Sequence, residues 1–155
     1  MRVYRIAARK HIRDLSGTGA LLYGGRWNEP GTAALYTSSH LSLAALELLC
    51  QSPLHSFPAQ LYSVEIEIPD KIKGFEIKTS ELPQNWKQIP AGATTKKTGT
   101  RILKQNMYLF LKAPSAVLPG EFNYIINPQH PKASLLKIIN CEPFSFDQRL
   151  YQNLV

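Results

Sequence analysis

Between Pro30 and Val64 the chain carries one formally charged side chain, Glu47, inside the run Leu41-Ser42-Leu43-Ala44-Ala45-Leu46-Glu47-Leu48-Leu49. Desolvating a carboxylate in such surroundings costs several kcal/mol unless a partner offsets it. A solvated helix face would instead alternate charges along its length. Glu47 therefore either faces a polar cleft or is paired with a cation. In both cases it is the first candidate for chemistry.

Three further clusters stand beside it. Gly24-Gly25-Arg26-Trp27-Asn28 joins two glycines, which allow a sharp turn or a close backbone approach to a ligand, to an arginine. A guanidinium on such a loop is a fixed fork of donors suited to phosphate or carboxylate. The plainer alternative is a turn that plugs Trp27 into the core while Arg26 pairs with Glu29. Leu35-Tyr36-Thr37-Ser38 puts a tyrosine at a strand end, where it can stack on a flat ring or fill half-buried core. Ala113-Pro114-Ser115-Ala116 places a hydroxyl just past a strand, where it can orient a carboxylate or substrate, or cap a turn. The Pro-rich turn Asn127-Pro128-Gln129-His130-Pro131 follows, and its His130 reads as structural.

Several chemistries can be set aside. There is no Gly-x-Ser-x-Gly elbow, P-loop or Gly-x-Gly-x-x-Gly fingerprint, and Glu47 has no acidic sequence neighbour of the kind a glycosidase pair would show. One carboxylate, one arginine, one tyrosine and one serine form a different set. It suits splitting a bond whose leaving group departs without a proton from an acid.

The rest of the chain must position these groups. Its 155 residues fit one domain, 1–155, and its 44% hydrophobic and 19% charged content is ordinary for a globular protein. No apolar run approaches the roughly 20 residues that span a bilayer, so no membrane role is expected. The basic start Met1-Arg2-Val3-Tyr4-Arg5-Ile6 lacks the apolar stretch of a signal peptide. Cys50 and Cys141 are too few for a disulfide framework, and no Cys/His spacing suggests a metal. A reducing, cytoplasmic location is the default expectation.

Net charge is +7, and residues 82–120 contain no acid but include Lys87, Lys96, Lys97, Arg101, Lys104 and Lys112. This is either a solvated basic face or a surface for an anionic ligand or partner, nucleic acid included. The aromatic interleaving of a dedicated nucleic-acid binder is missing.

The coarse pattern predicts strands at 3–6, 35–37, 60–68, 108–113, 123–126 and 135–139, the third with period-two alternation. Residues 16–31, with five of the nine glycines, read as an ordered loop. A helix over 41–50, capped by Ser38 or Ser39, should stop near Ser52-Pro53. Residues 70–98 look mostly irregular, with a short helix at 100–106. Strands dominate, which predicts a single α+β domain around one twisted, mainly antiparallel sheet.

Taken in order, these clusters resemble the RES domain family, the toxins paired with Xre-like antitoxins. The likeness runs through Tyr4-Arg5-Ile6, Gly24-Gly25-Arg26-Trp27-Asn28, Leu35-Tyr36-Thr37-Ser38, and Leu43-Ala44 with Glu47. It continues through Asn85-Trp86, Thr98-Gly99, Pro114-Ser115-Ala116-Val117, Asn123-Tyr124, Asn127-Pro128-Gln129-His130-Pro131 and Phe146-Asp147-Gln148-Arg149-Leu150. Each piece is short, but their joint order covers most of the chain.

The resemblance implies an ADP-ribosyltransferase-like fold with NAD as substrate and no metal. Cleavage of the nicotinamide–ribose bond by hydrolysis or phosphorolysis would deplete NAD; transfer of ADP-ribose to a protein is the alternative. It also implies that Arg26, Tyr36, Glu47 and Ser115 form the active site. In that reading Glu47 steadies an oxocarbenium ion, and Arg26 binds pyrophosphate or ribose oxygens while its charge favours ionised Glu47. Tyr36 stacks on nicotinamide, and Ser115 positions Glu47 or the nicotinamide amide. Arg5, Trp27 and Asn28 line the pocket. The implied partner is an Xre-like antitoxin with a DNA-binding helix-turn-helix part, whose acidic residues the basic stretch could receive. A homodimer within the complex fits the family, and direct binding of nucleic acid by this chain is not expected. From charge alone, the rival of another class is a nucleic-acid-binding or RNA-cleaving toxin; an interaction module with a decayed site is a third.

Overall fold

Side-chain alternation builds a seven-stranded sheet, which the computed structural model describes over residues 1–51 and 60–152. The strands are β1 (Arg2–Ala8), β2 (Leu35–Ser38), β3 (Leu61–Glu67), β4 (Phe75–Glu76), β5 (Phe110–Pro114), β6 (Phe122–Ile126) and β7 (Lys137–Phe144). They lie in the order β4-β5-β6-β2-β1-β3-β7. Only β4 and β5 run parallel; the other neighbours are antiparallel. The helices are α1 (Thr18–Tyr23), α2 (Leu41–Gln51), α3 (Ala93–Gln105) and α4 (Arg149–Gln152). This is the expected α+β class. No described helix is long and apolar enough to cross a membrane.

Leu35, Ile126 and Phe110 lie opposite one another across β2, β6 and β5, and so do Tyr36, Ile125 and Leu111. Successive residues face opposite sides of a sheet, so these two rows enter different cores. The first row packs with Val3, Val64, Ile66 and Ile68. The second packs with Trp27, Trp86, Ile102 and Leu103. Ser38 and Asn123 are paired in register two residues from Tyr36 and Ile125, so they share the second face. That places a polar pair beside Tyr36 on an otherwise apolar surface.

β1 and β3 are in register over seven pairs, whereas β1 and β2 meet in register only at Tyr4 and Ser38. Beyond that pair no ladder joins them. The sheet therefore has an opening at its centre, next to Tyr36.

The helices depart most from expectation. Residues 16–31 do not form loop alone: α1 begins after Gly17 and ends at Gly24, both at positive φ, so these glycines flank a helix rather than dissolve it. The serines expected to cap α2 are engaged elsewhere, Ser38 donating to Asn123 Oδ1 and Ser39 to Glu121 Oε2. The stop expected near Ser52-Pro53 lies outside the described residues. Helix α3 starts at Ala93, seven residues before the expected 100, despite four threonines and a glycine of low helix propensity. Its buried stripe of Thr95, Gly99, Thr100, Ile102 and Leu103 recurs at helical spacing and overrides that propensity. Strand β4 also falls within the segment expected to be irregular. Strand β7 continues past the apolar run at 135–139 because it pairs along β3, and its edge position accommodates Pro143.

Candidate active site

Helix α2 carries buried Leu43 and Ala44 against the sheet, and Glu47, four and three residues on, shares their face. Its carboxylate is thereby aimed at the polar pair on β2 and β6. Ser115 Oγ donates to Glu47 Oε1 at 2.8 Å. Asn123 Nδ2 donates to the same oxygen. Oε2 takes no hydrogen bond, and no cation pairs with Glu47, among the described residues. Of the two options the sequence left open, the cleft is the one realised.

The donors are themselves fixed. Ser115 Oγ accepts from the amides of Val117 and Leu118, both at 3.1 Å, which leaves its proton for Glu47. Ser115 is 2% exposed and stands behind the carboxylate. Ser38 Oγ donates to Asn123 Oδ1 at 2.7 Å, setting which end of the amide faces Glu47. Sequence reasoning gave Asn123 no role. The available signal was a polar residue on the inward side of β6, two positions from buried Ile125.

Arg26 and Tyr36 are placed by the loop after α1. Gly24 turns at φ 71°, and Gly25 N–H donates to Asn28 O at 2.9 Å. A Cβ at Gly25 would collide with the Tyr36 hydroxyl, so only glycine admits this close approach. Tyr36 Oη donates to Asn28 Oδ1 at 2.7 Å and accepts from Trp27 N–H at 2.9 Å. Burial pushes its phenol well above the usual range, so it stays neutral. With the hydroxyl engaged, Tyr36 has its ring to offer a ligand.

Asn28 departs from expectation. It is 0% exposed, and its amide donates to Ala20 O and Thr32 O while its oxygen takes the Tyr36 proton. It builds the loop from behind and cannot line a pocket. Trp27 packs on Trp86 with ring centroids 6.1 Å apart. Glu29 does not pair with Arg26; its amide donates to Thr100 Oγ1 on α3. Arg26 Nη1 instead donates to Trp86 O at 2.6 Å and Gln88 O at 3.2 Å. Burial lowers the Arg26 pKa, and the charge of Glu47 acts in the opposite sense.

Arg5 donates to the carbonyls of His11 and Asp14, both at 2.8 Å, which ties the turn after β1 back onto the strand. Burial lowers its pKa, with Asp14 opposing. His130 accepts from Lys132 N–H and caps a short turn.

Two cavities meet at this constellation. One of about 600 Å³ occupies the opening between β1 and β2, with Arg5, Ile6, Ala7, Leu35, Tyr36 and Glu47 on its walls. The other, of about 590 Å³, is bordered by Arg26, Trp27, Tyr36, Glu47, Lys96 and Ala116. Both fall in the size range of small-molecule sites, about 300–1,000 Å³. Tyr36, Glu47 and Asn123 border both, so the carboxylate stands where they join. Among the described residues no group of three or more His, Cys, Asp or Glu could hold a metal ion.

The sequence pattern of the RES domain family matches residues 2–147. The chain belongs to the RES domain family. RES relatives include a protein named Toxin Res from Yersinia enterocolitica serotype O:8, 38% identical over 152 residues that cover 97% of this chain and 99% of the relative. Another Toxin Res, from Pseudomonas putida, is 35% identical and covers 97% and 100%. A Sphingobium protein named Prs ADP-ribosylating toxin is 37% identical over 88% of this chain and 86% of its own length. Among solved structures, the M. tuberculosis MbcT–MbcA toxin–antitoxin complex contains a chain with TM-score 0.75 and 19% identity, matched over 99% of this chain and 87% of that one. At that identity the likeness shows a shared fold and nothing finer.

Proposed function

We propose that this RES domain is the toxin of a toxin–antitoxin pair and cleaves the nicotinamide–ribose bond of NAD. The observation that carries the reading is Glu47: among the described residues it is anchored through Oε1 alone, and Oε2 has no partner where the two cavities join. The names of the relatives, toxins in each case and ADP-ribosylating in one, support it.

Nicotinamide in NAD is a pyridinium. When its bond to ribose breaks, the electron pair goes to the ring and neutral nicotinamide departs, so no general acid is needed. Positive charge then develops on the ribose carbon and ring oxygen. A carboxylate oxygen fixed beside that carbon stabilises the charge without reorganising. The nucleophile adds its lone pair to the same carbon and releases its proton to Glu47 or solvent. Tyr36 supplies a ring face for nicotinamide, and Arg26, held among the described residues by Nη1 only, presents Nε and Nη2 to anionic oxygens. Ser115 and Asn123 act through Glu47 as positioning residues.

Ser115→Ala and Asn123→Ala should each lower kcat about ten- to a hundredfold with little change in KM, because the carboxylate loses one of two restraints. Steady-state release of nicotinamide checks this; a change in KM alone would mean that these residues bind substrate instead. Arg26→Lys removes a planar fork and should weaken NAD binding about tenfold or more. Unchanged affinity by calorimetry would make Arg26 a purely structural tie between its loop and residues 86–88.

The acceptor is water or phosphate in the first reading, which depletes NAD. The name of the Sphingobium relative favours a second, transfer of ADP-ribose to a protein. Incubating pure protein with NAD, with and without phosphate, separates them by product: ADP-ribose, its phosphorylated form, or neither until a protein acceptor is added. In the cytoplasm, where the NAD pool lies, an Xre-like antitoxin would restrain the enzyme.

A further inference from the structure

The cavity that holds Arg26 contains a second cation. Lys96, in the first turns of α3, is half-buried on its wall and makes no hydrogen bond or ion pair among the described residues. Glu47 is the one described acid bordering this cavity, and the sequence supplies no other acid between Glu81 and Glu121. Arg26 is pegged by Nη1 to the carbonyls of residues 86 and 88, on the segment that leads into α3, and both cations border the same cavity. Among the described residues this cavity thus carries two positive charges with no acidic side chain beyond Glu47.

The opposite cavity differs in kind. Its arginine, Arg5, already donates to two carbonyls, Asp14 and Glu47 border it, and Ile6, Ala7 and Leu35 line it. With Asp14 and Glu47 on its walls and Arg5 already engaged, it suits a flat cationic ring such as a pyridinium rather than a dianion. Resting on the NAD reading above, we infer that Lys96 and Arg26 form a diphosphate subsite that holds the ADP half of the substrate and sends the nicotinamide towards the opening between β1 and β2. Two cations match the two charges of a diphosphate. Tyr23 and Ile89, 82% and 90% exposed, border the same cavity and give the adenine an apolar surface.

The test uses the full chain with Lys96→Glu, Lys96→Gln and Lys96→Arg. Calorimetric titration with ADP-ribose should show at least about tenfold weaker binding for Lys96→Glu, a smaller loss for Lys96→Gln, and near-native binding for Lys96→Arg. Adenosine, which lacks the diphosphate, should bind all four proteins alike. KM for NAD should rise in Lys96→Glu while KM for nicotinamide riboside stays unchanged. Equal ADP-ribose affinity in wild type and Lys96→Glu, or an equal loss with adenosine or nicotinamide riboside, overturns the subsite. ADP-ribose binding that depends on Lys96, with NAD left intact by the wild type, would keep the subsite and reject the cleavage reading.

Discussion

Replacing Glu47 by Gln is expected to leave the melting temperature nearly unchanged and to slow nicotinamide release roughly a thousandfold. The amide has almost the same shape as the carboxylate. Its oxygen can keep the bonds from Ser115 and Asn123 that Oε1 now accepts. What disappears is the negative charge facing the ribose, and that charge matters most when the oxocarbenium ion forms. KM should therefore move little while kcat falls. Glu47→Asp keeps the charge but draws it back by one methylene, away from both donors, and should fall between the two. Thermal melts and steady-state kinetics on the same preparations check the pair. A structural Glu47 would show the reverse, with stability dropping and activity following it.

Gly99→Ala carries the largest expected effect on stability. A Cβ there would collide with the Trp27 carbonyl, where α3 packs directly on the loop that presents Arg26. Backbone cannot swing aside as a side chain can, so the substitution should cost about 1–3 kcal/mol, a fall of several degrees in melting temperature for a chain of this size. The loop must shift to make room, so KM for NAD should rise as well. Gly19→Ala is the internal control. It lies within α1 with open space around its Cβ, and alanine there should stabilise by up to about 1 kcal/mol. Equal melting temperatures for Gly99→Ala and wild type would mean that α3 and the loop separate more easily than their contact suggests.

The sheet was legible because burial follows the strand period. The alternation of Tyr62, Val64, Ile66 and Ile68 against Leu61, Ser63, Glu65 and Glu67 is the pattern β3 shows, and the apolar run around Glu47 is a helix. The second half of helix α3 was legible as the short helix expected at 100–106, but its first two turns were not, because their reason for being helical lies outside them: the Trp27 backbone that Gly99 meets and the core that Thr95 closes. Proximity in sequence misled at Asn28, which neighbours Arg26 but turns the other way to satisfy three backbone and side-chain partners. Asn123 was hidden for the opposite reason. Its partners Ser38 and Glu47 are 85 and 76 residues away, and only the register of β2 with β6 brings them together. The family resemblance pointed to Arg26, Tyr36, Glu47 and Ser115, and the structure brings the first three to one cavity with Ser115 behind.

The most direct test is to identify which bond breaks. Purified wild-type protein and its Glu47→Gln variant are incubated with NAD, and the products are separated by chromatography and weighed by mass spectrometry. The wild type should release free nicotinamide in step with NAD loss, and the variant should release almost none. Intact NAD with the wild type, equal rates in both proteins, or nicotinamide mononucleotide and AMP in place of free nicotinamide would contradict the account.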